Sequence, residues 1–279
     1  MKANVFDIQR SSFVDGDGAR TVIFFKGCNL RCKWCHNPEG LKNESQLLYY
    51  KDKCIDCKKC VSACPNNQKS CTLCGKCTVL CPADAREICG RGYTVGELLE
   101  IIEKDKDYYL ASGGGVTFSG GECMLQVDFL SKLLEKCKER GINTAIDTAG
   151  NVPWKSFEAV IDTTDIFLYD IKCISPDLHK KGTGVENRLI LENLHKLNEM
   201  GKSIIVRVPV IGGFNDTAEE ITKIAELLRK EGLKRVELLP YHQMGKHKYE
   251  ALCLETGEFY TPSKEKIKEF NEIIKGDLK

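Results

Sequence analysis

The sequence predicts an α/β fold, a partial, open TIM-like βα barrel of about six units interrupted by a cysteine-rich insert. Three observations predict it. Six apolar runs rich in β-branched residues recur along the chain, helix-period segments alternate with them, and residues 49–90 fit neither pattern. The expected division is a first core segment at 1–48, the insert at 49–90 and the remaining βα units at 91–279.

The first run, "TVIFFK" (21–26), is followed beyond the insert by "VTFS" (116–119), "TAID" (144–147), "IFLYDIK" (166–172), "SIIVRVPV" (203–210) and "RVELLP" (235–240). Each reads as a strand buried on both faces, as parallel sheets require. The helices between them carry their own signals. "TVGELLEIIEK" opens on Thr94 and Glu97 as a capping box, "QVDFLSKLLEKCKER" stops at Gly141, "ENRLILENLHKLNEM" stops at Gly201, and a helix from about Asp216 to Glu231 stops at Gly232. Strand and helix in alternation imply right-handed crossovers. Six units rather than eight leave the barrel open.

Composition narrows the function. Among 279 residues, 41 basic side chains balance 40 acidic ones, so nothing points to nucleic acid or a membrane surface as partner. The N-terminal "MKANVFDIQR" has no apolar signal core and no stretch is apolar enough to span a bilayer, which predicts a cytoplasmic protein. In that reducing compartment sixteen cysteines are poor disulfide candidates, and eleven of them fall between residues 28 and 81. Clustered thiolates there mean metal. The isolated Cys89, Cys123, Cys137, Cys173 and Cys253 read as small buried hydrophobes.

The insert holds two copies of one pattern, "CIDCKKCVSACP" and "CTLCGKCTVLCP". C-x2-C-x2-C-x3-C-P wraps three thiolates around one 4Fe-4S cube and sends the fourth, before proline, to the neighbouring cluster. Cys54, Cys57, Cys60 and Cys81 would then hold one cluster, and Cys71, Cys74, Cys77 and Cys64 the other. A zinc ribbon is the competing reading, although its knuckles usually stand a dozen or more residues apart. Only six residues separate Cys64 from Cys71, which leaves the exchange of fourth ligands open.

The triplet Cys28, Cys32 and Cys35 in "FFKGCNLRCKWCHNPEG" differs in kind. Three thiolates on a 4Fe-4S cube leave one iron without a protein ligand, and an open coordination position is where chemistry happens. A distant fourth ligand such as Cys89 is the alternative. "SGGE" (Ser119 to Glu122) ends the second predicted strand, where paired glycines let a backbone approach a ligand or simply make a turn. Asp147 with Thr148, Asp170 with Lys172, Arg207 and His242 fall at or just beyond the C-terminal ends of successive strands, the face on which βα barrels build active sites. Taken singly, each carboxylate or lysine there could be a structural ion pair, and His242 a satisfied core histidine.

With Trp34 before its last cysteine, the C-x3-C-x2-C triplet resembles that of the radical S-adenosylmethionine superfamily. "VDGDGARTVIFFKGCNLRCKWCHNPEG", "GGGVTFSGGE", "DTAG", "YDIK", "RVPVIGGFND" and "LLPYHQMGKHKYEAL" together resemble the glycyl radical enzyme activating enzymes of the pyruvate formate-lyase activating type, with a ferredoxin-like two-cluster insert. Asp17 and Ala19 stand where that family usually has proline and isoleucine, and Cys123 where proline usually follows "GGE".

The resemblance implies S-adenosyl-L-methionine and three 4Fe-4S clusters as cofactors, with the amine and carboxylate of the methionine moiety chelating the open iron. It implies that Trp34, His36 and Asn37 lie near the adenosine and that Gly120, Gly121 and Glu122 form the amine-binding segment. Asp170 and Lys172 would meet the amine and carboxylate, His242 would contact the cofactor, and Arg207 would join the same pocket. Asp147, Thr148 and Asp170 would surround a monovalent cation. The implied partners are a glycyl radical enzyme as protein substrate and flavodoxin or ferredoxin as electron donor. A radical S-adenosylmethionine enzyme acting on a small molecule is the alternative; a pure electron carrier would account for the insert but not for the triplet.

Overall fold

A computed structural model describes residues 1–277. Strand β1 (Ala3–Ser12) pairs antiparallel with β2 (Arg20–Phe25). Strands β3 (Gln46–Tyr49) and β4 (Arg86–Cys89) form a separate antiparallel ladder, and β5 (Arg91–Tyr93) adds to the free side of β1. Then β6 (Gly115–Gly120), β7 (Asn143–Thr148), β8 (Ile166–Asp170), β9 (Ile204–Val210) and β10 (Val236–Pro240) extend β2 in parallel and in chain order. The sheet runs β10-β9-β8-β7-β6-β2-β1-β5, with β10 and β5 as its edges. It curls without closing. The curl is visible in two contacts between the β1–β2 loop and the far strands: Arg207 of β9 lies 3.4 Å from Asp15, and Arg235, just before β10, lies 2.7 Å from Asp17.

Side-chain alternation separates two faces. Ile146, Phe167, Tyr169 and Val206 point outward into the main core, while Ala145, Ile166, Leu168 and Ile205 pack as a small layer within the curl. The outer layer is supplied by helices whose apolar stripes face the sheet: Val95–Glu103, Val127–Glu139, Arg188–Glu199 and Ala218–Glu231. The first starts with the complete Thr94–Glu97 capping box. Above the inner apolar layer the interior turns polar, and that is where the candidate site begins.

Three features escaped the periodicity argument. Strands β1 and β5 add an antiparallel margin to the parallel sheet, β3 and β4 form a stem from which the two cysteine motifs project, and a helix at Lys264–Asp277 packs Phe270 and Ile274 into the core. The expectation for the isolated cysteines needs one correction. Cys89, Cys123, Cys137 and Cys173 are buried, but Cys253 is exposed, in a left-handed turn (φ 55°) beyond the last short helix of the tail. No helix among the described residues is long and apolar enough to cross a membrane.

Candidate active site

Strand β2 delivers the cysteine triplet. Directly after Phe25 the chain leaves the sheet as a loop, and three sets of backbone hydrogen bonds fix it. Gly27 and Cys28 donate to the carbonyls of Gly40 and Leu41, Arg31 and Lys33 donate to Thr183 and Gly182, and Glu122 donates to Gly27 at 2.7 Å. The paired glycines of "SGGE" are needed for the last of these. Gly120 has φ 119°, and a Cβ on Gly121 would stand 2.2 Å from the Gly27 carbonyl oxygen. Their close approach is therefore to the cysteine loop itself.

Cys28, Cys32 and Cys35 are each only partly exposed. Burial pushes the Cys28 thiol up to about 12, with Glu122 adding to it, and burial likewise takes Cys35 up to about 12. Burial also raises Cys32, against the pull of Lys172. Thiols in this setting hold their protons until a cation compensates the charge, which suits a bound iron cluster. The Leu30 backbone N–H points at the Cys28 sulfur at 3.4 Å, the kind of donor that offsets charge on a ligating sulfur.

The next strands bring a charged cluster to the same end of the barrel. Lys172 Nζ donates to Asp170 Oδ2 at 2.7 Å, and Lys172 is only 8% exposed. Burial opposes its charge, but Asp170, Cys32 and Asp147 together hold it firmly protonated. Asp170 and Arg207 are register partners across β8 and β9, so both face the interior. Arg207 sits in the middle of β9 rather than at its end, one correction to the rim expectation. It reaches Asp15 (3.4 Å) and Asp147 (3.5 Å), and its Nε is buried without a hydrogen-bond partner. Burial raises the Asp147 carboxyl to about 6, while Arg207 pulls the other way; Ser119 donates to it at 2.6 Å.

Other predicted residues are tied into the surrounding framework. The Glu122 carboxylate accepts from the Thr148 hydroxyl (2.8 Å) and from the N–H groups of Ala149 (3.0 Å) and Met124 (3.2 Å). Thr148 thus turns its hydroxyl away from Asp147 and Asp170, and of the three residues expected around a cation only these two carboxylates face the interior. Among the described residues, no group of three or more His, Cys, Asp or Glu side chains converges on a single-ion position. Trp34 is buried against Phe214, with ring centroids 4.2 Å apart, and against Phe259 at 5.7 Å. His36 stacks on His242 (4.0 Å) and on Tyr241 (5.2 Å), and its Nε2 lies 2.8 Å from the His242 carbonyl. Asn37 accepts from Lys248. Cys89, the alternative fourth ligand, packs instead with Leu48 and Ala251. Cys123 is fully buried, its thiol directed at the Phe118 carbonyl.

In the insert the cysteines line two adjoining cavities. One of about 290 Å³ is bordered by Cys54, Cys57, Cys60 and Cys81; the other, about 200 Å³, by Cys60, Cys64, Cys71, Cys74 and Cys77. Asp15, Ser119, Lys248 and Tyr249 were not among the predicted site residues. The first two lie in motifs that were legible ("VDGDGAR" and "SGGE"), and the last two in the tail motif, of which only the histidine was singled out.

Comparison with known proteins decides the family. The radical SAM superfamily model matches residues 22–228. The trans-4-hydroxy-L-proline dehydratase activating enzyme of Clostridioides difficile is 44% identical over 98% of this chain and 96% of its own length. The chain belongs to the glycyl radical enzyme activating enzymes of the radical SAM superfamily. The choline trimethylamine-lyase activating enzyme of Oleidesulfovibrio alaskensis is 43% identical over 90% of this chain and 87% of its own. Among solved structures, a domain of a pyruvate-formate lyase-activating enzyme from Bacteroides vulgatus matches 59% of this chain and 94% of its own at TM-score 0.51 and 29% identity. A radical SAM methyltransferase from Sphaerobacter thermophilus shares the fold over 92% of this chain and 64% of its own, at TM-score 0.57 and 15% identity.

Proposed function

We propose that this activating enzyme cleaves S-adenosyl-L-methionine reductively and that the resulting 5′-deoxyadenosyl radical removes a hydrogen atom from one glycine of a partner glycyl radical enzyme. The observation that carries this is the meeting, at one end of the barrel, of the partly buried Cys28–Cys32–Cys35 triplet with the Lys172–Asp170 pair. A 4Fe-4S cluster on the triplet would supply the electron that breaks the S–C5′ bond.

The chain's own residues bind and orient. Lys172, held charged by Asp170, offers a cation for a carboxylate, and Asp170 offers an anion for an amine. Asp147 and Arg207 form the floor beneath them, and Asp147 with Asp170 would provide hard oxygen ligands for a monovalent cation. His36, His242 and Asn37 line the approach from the cysteine loop and are suited to contact an adenosine. Trp34 sets the position of that loop through its aromatic packing. Because the sheet has free edges, a peptide segment of the partner can reach the interior from the side.

In the segment from 49 to 90 we read two further clusters, with Cys54, Cys57, Cys60 and Cys81 on one and Cys71, Cys74, Cys77 and Cys64 on the other. The grouping of these cysteines around two cavities supports the crossed assignment, since Cys81 lines the first and Cys64 the second. A flavodoxin or ferredoxin is the expected reductant. The test is anaerobic incubation of the reduced protein with S-adenosylmethionine and a candidate glycyl radical enzyme, read by electron paramagnetic resonance. A protein-based doublet is expected, and Cys32→Ser should abolish both the doublet and cofactor cleavage.

A further inference from the structure

The tail segment "PYHQMGKHKYEAL" leaves β10 and returns as a short helix, Lys246–Ala251, wedged against the cysteine loop. Tyr249 is 8% exposed, and its hydroxyl donates to the carbonyl of Cys35 at 2.9 Å. Lys248 Nζ donates to Asn37 Oδ1 (3.0 Å) and to Glu39 Oε1 (2.5 Å). Glu39 is 5% exposed and its second oxygen is buried without a hydrogen-bond partner, so the carboxylate relies on its ion pair with Lys248, with the Lys26 ammonium as a further nearby positive charge. The main chain of the same turn is held from below, where the buried Lys26 ammonium donates to the Glu39 carbonyl. The opposite side of the wedge meets the stem of the insert: Ala251 packs with Leu48 and Cys89, and His247 lies over Tyr50 at 6.1 Å.

A solvent-exposed lysine would gain little from such a pairing, and a surface turn would not need it. Here the ion pair is largely withdrawn from water, where a carboxylate without its partner is costly. Both donors act within five residues of chain, from Cys35 to Glu39, directly after the third cluster cysteine. They fix the carbonyl of the ligating residue and the direction in which the chain leaves it. Groups one step removed from a metal ligand orient that ligand and tune the metal.

We infer that Lys248 and Tyr249 are positioning residues for the site cluster: through Asn37, Glu39 and the Cys35 carbonyl they hold the exit turn of the cysteine loop so that Cys35 keeps its place. The inference rests on the reading that Cys28, Cys32 and Cys35 carry a 4Fe-4S cluster. The wedge touches none of the reacting groups itself.

The test compares the reconstituted parent with Tyr249→Phe, Lys248→Met, Lys248→Arg and the double variant Lys248→Met/Glu39→Gln. The double variant removes the unpaired buried carboxylate and so guards against a simple folding failure. Three readouts are taken: the change in the electron paramagnetic resonance spectrum on adding S-adenosylmethionine, the rate of its cleavage, and backbone amide exchange across residues 35–40 in protein without iron. Tyr249→Phe and the double variant should shift or broaden the cofactor-dependent spectrum and slow cleavage on the order of tenfold or more. Exchange across residues 35–40 should rise on the order of tenfold, and Lys248→Arg should restore most of each property. Parent-like spectra, rates and exchange in both Tyr249→Phe and the double variant would overturn the inference while leaving the cluster reading intact. A parent that shows no cofactor-dependent spectrum would overturn the cluster reading and this inference with it.

Discussion

Lys172 Nζ stands 2.7 Å from Asp170 Oδ2, an ion pair facing the interior at the end of β8, beside the second cysteine of the triplet. The pair, with its lysine buried and its aspartate partly exposed, still has donors and acceptors to spare. Lys172 carries three N–H donors and gives one to Asp170, so the pair is built to receive a zwitterion. Replacing Lys172 by Met should weaken S-adenosylmethionine binding on the order of a hundredfold, since Asp170 would then meet the ligand's carboxylate unshielded. Equilibrium dialysis with the anaerobically reconstituted protein measures this, and unchanged affinity would remove the pair from the binding site.

Glu122 makes stability depend on pH. Burial lifts its carboxyl from 4.5 to about 7 in the fold. The folded state therefore binds a proton that the unfolded chain has already lost over that interval. The contribution is complete below pH 4.5 and disappears as pH rises through about 7. For a fully buried group this is about 3 kcal/mol at most. Urea midpoints of the parent should fall across the interval more steeply than those of Glu122→Gln, and parallel curves would mean that Glu122 does not titrate there.

The crossed assignment in the insert makes an uneven prediction. Cys81→Ser should cost the cluster shared with Cys54, Cys57 and Cys60, and spare the one on Cys71, Cys74 and Cys77. Iron analysis with Mössbauer spectroscopy should show a loss of about four irons. Pairing Cys81→Ser with Cys57→Ser should lose no more iron than either alone. Additive loss would place Cys81 on the other cluster.

Gly182 marks how closely the cysteine loop is packed. A Cβ there would lie 2.4 Å from the Phe214 ring and 2.8 Å from that of Trp34. Gly182→Ala must therefore displace the aromatic cluster that seats Trp34, at a cost of roughly 1–3 kcal/mol. A thermal melt tests this. An unchanged midpoint would show that the loop can yield.

The parallel strands were legible because strands buried on both faces leave continuous apolar runs, as in "TVIFFK". Strand β1 left none: after Ala3 and Val5 its residues are part-exposed or exposed, and "DIQRSS" looks like surface chain. The hairpin β3–β4 was hidden differently. Its two strands are separated by the whole cysteine-rich stretch, so no local turn announces the pairing. The helix Lys264–Asp277 did leave a signal, with Ile267, Phe270 and Ile274 on one stripe.

Residue types that could build a site were legible in the sequence, whereas the orientation of their side chains was not. Spacing placed Asp147 and Thr148 together, but successive residues of a strand face opposite sides, and Thr148 belongs to Glu122. The packing of the Trp34 ring against Phe214 and Phe259, which lie far along the chain, had no local signal. Lys248 went unnoticed because its partners, Asn37 and Glu39, are more than two hundred residues away.

In the proposed reaction a radical generated beside Cys28, Cys32 and Cys35 takes its hydrogen from a glycine of a partner protein. Labelling the glycines of a candidate glycyl radical enzyme with deuterium at Cα and following the label tests it most directly. One deuterium is expected in the 5′-deoxyadenosine produced, together with a doublet signal on the partner that Cys32→Ser eliminates. Unlabelled 5′-deoxyadenosine formed at the same rate with and without the partner, and no doublet, would contradict it.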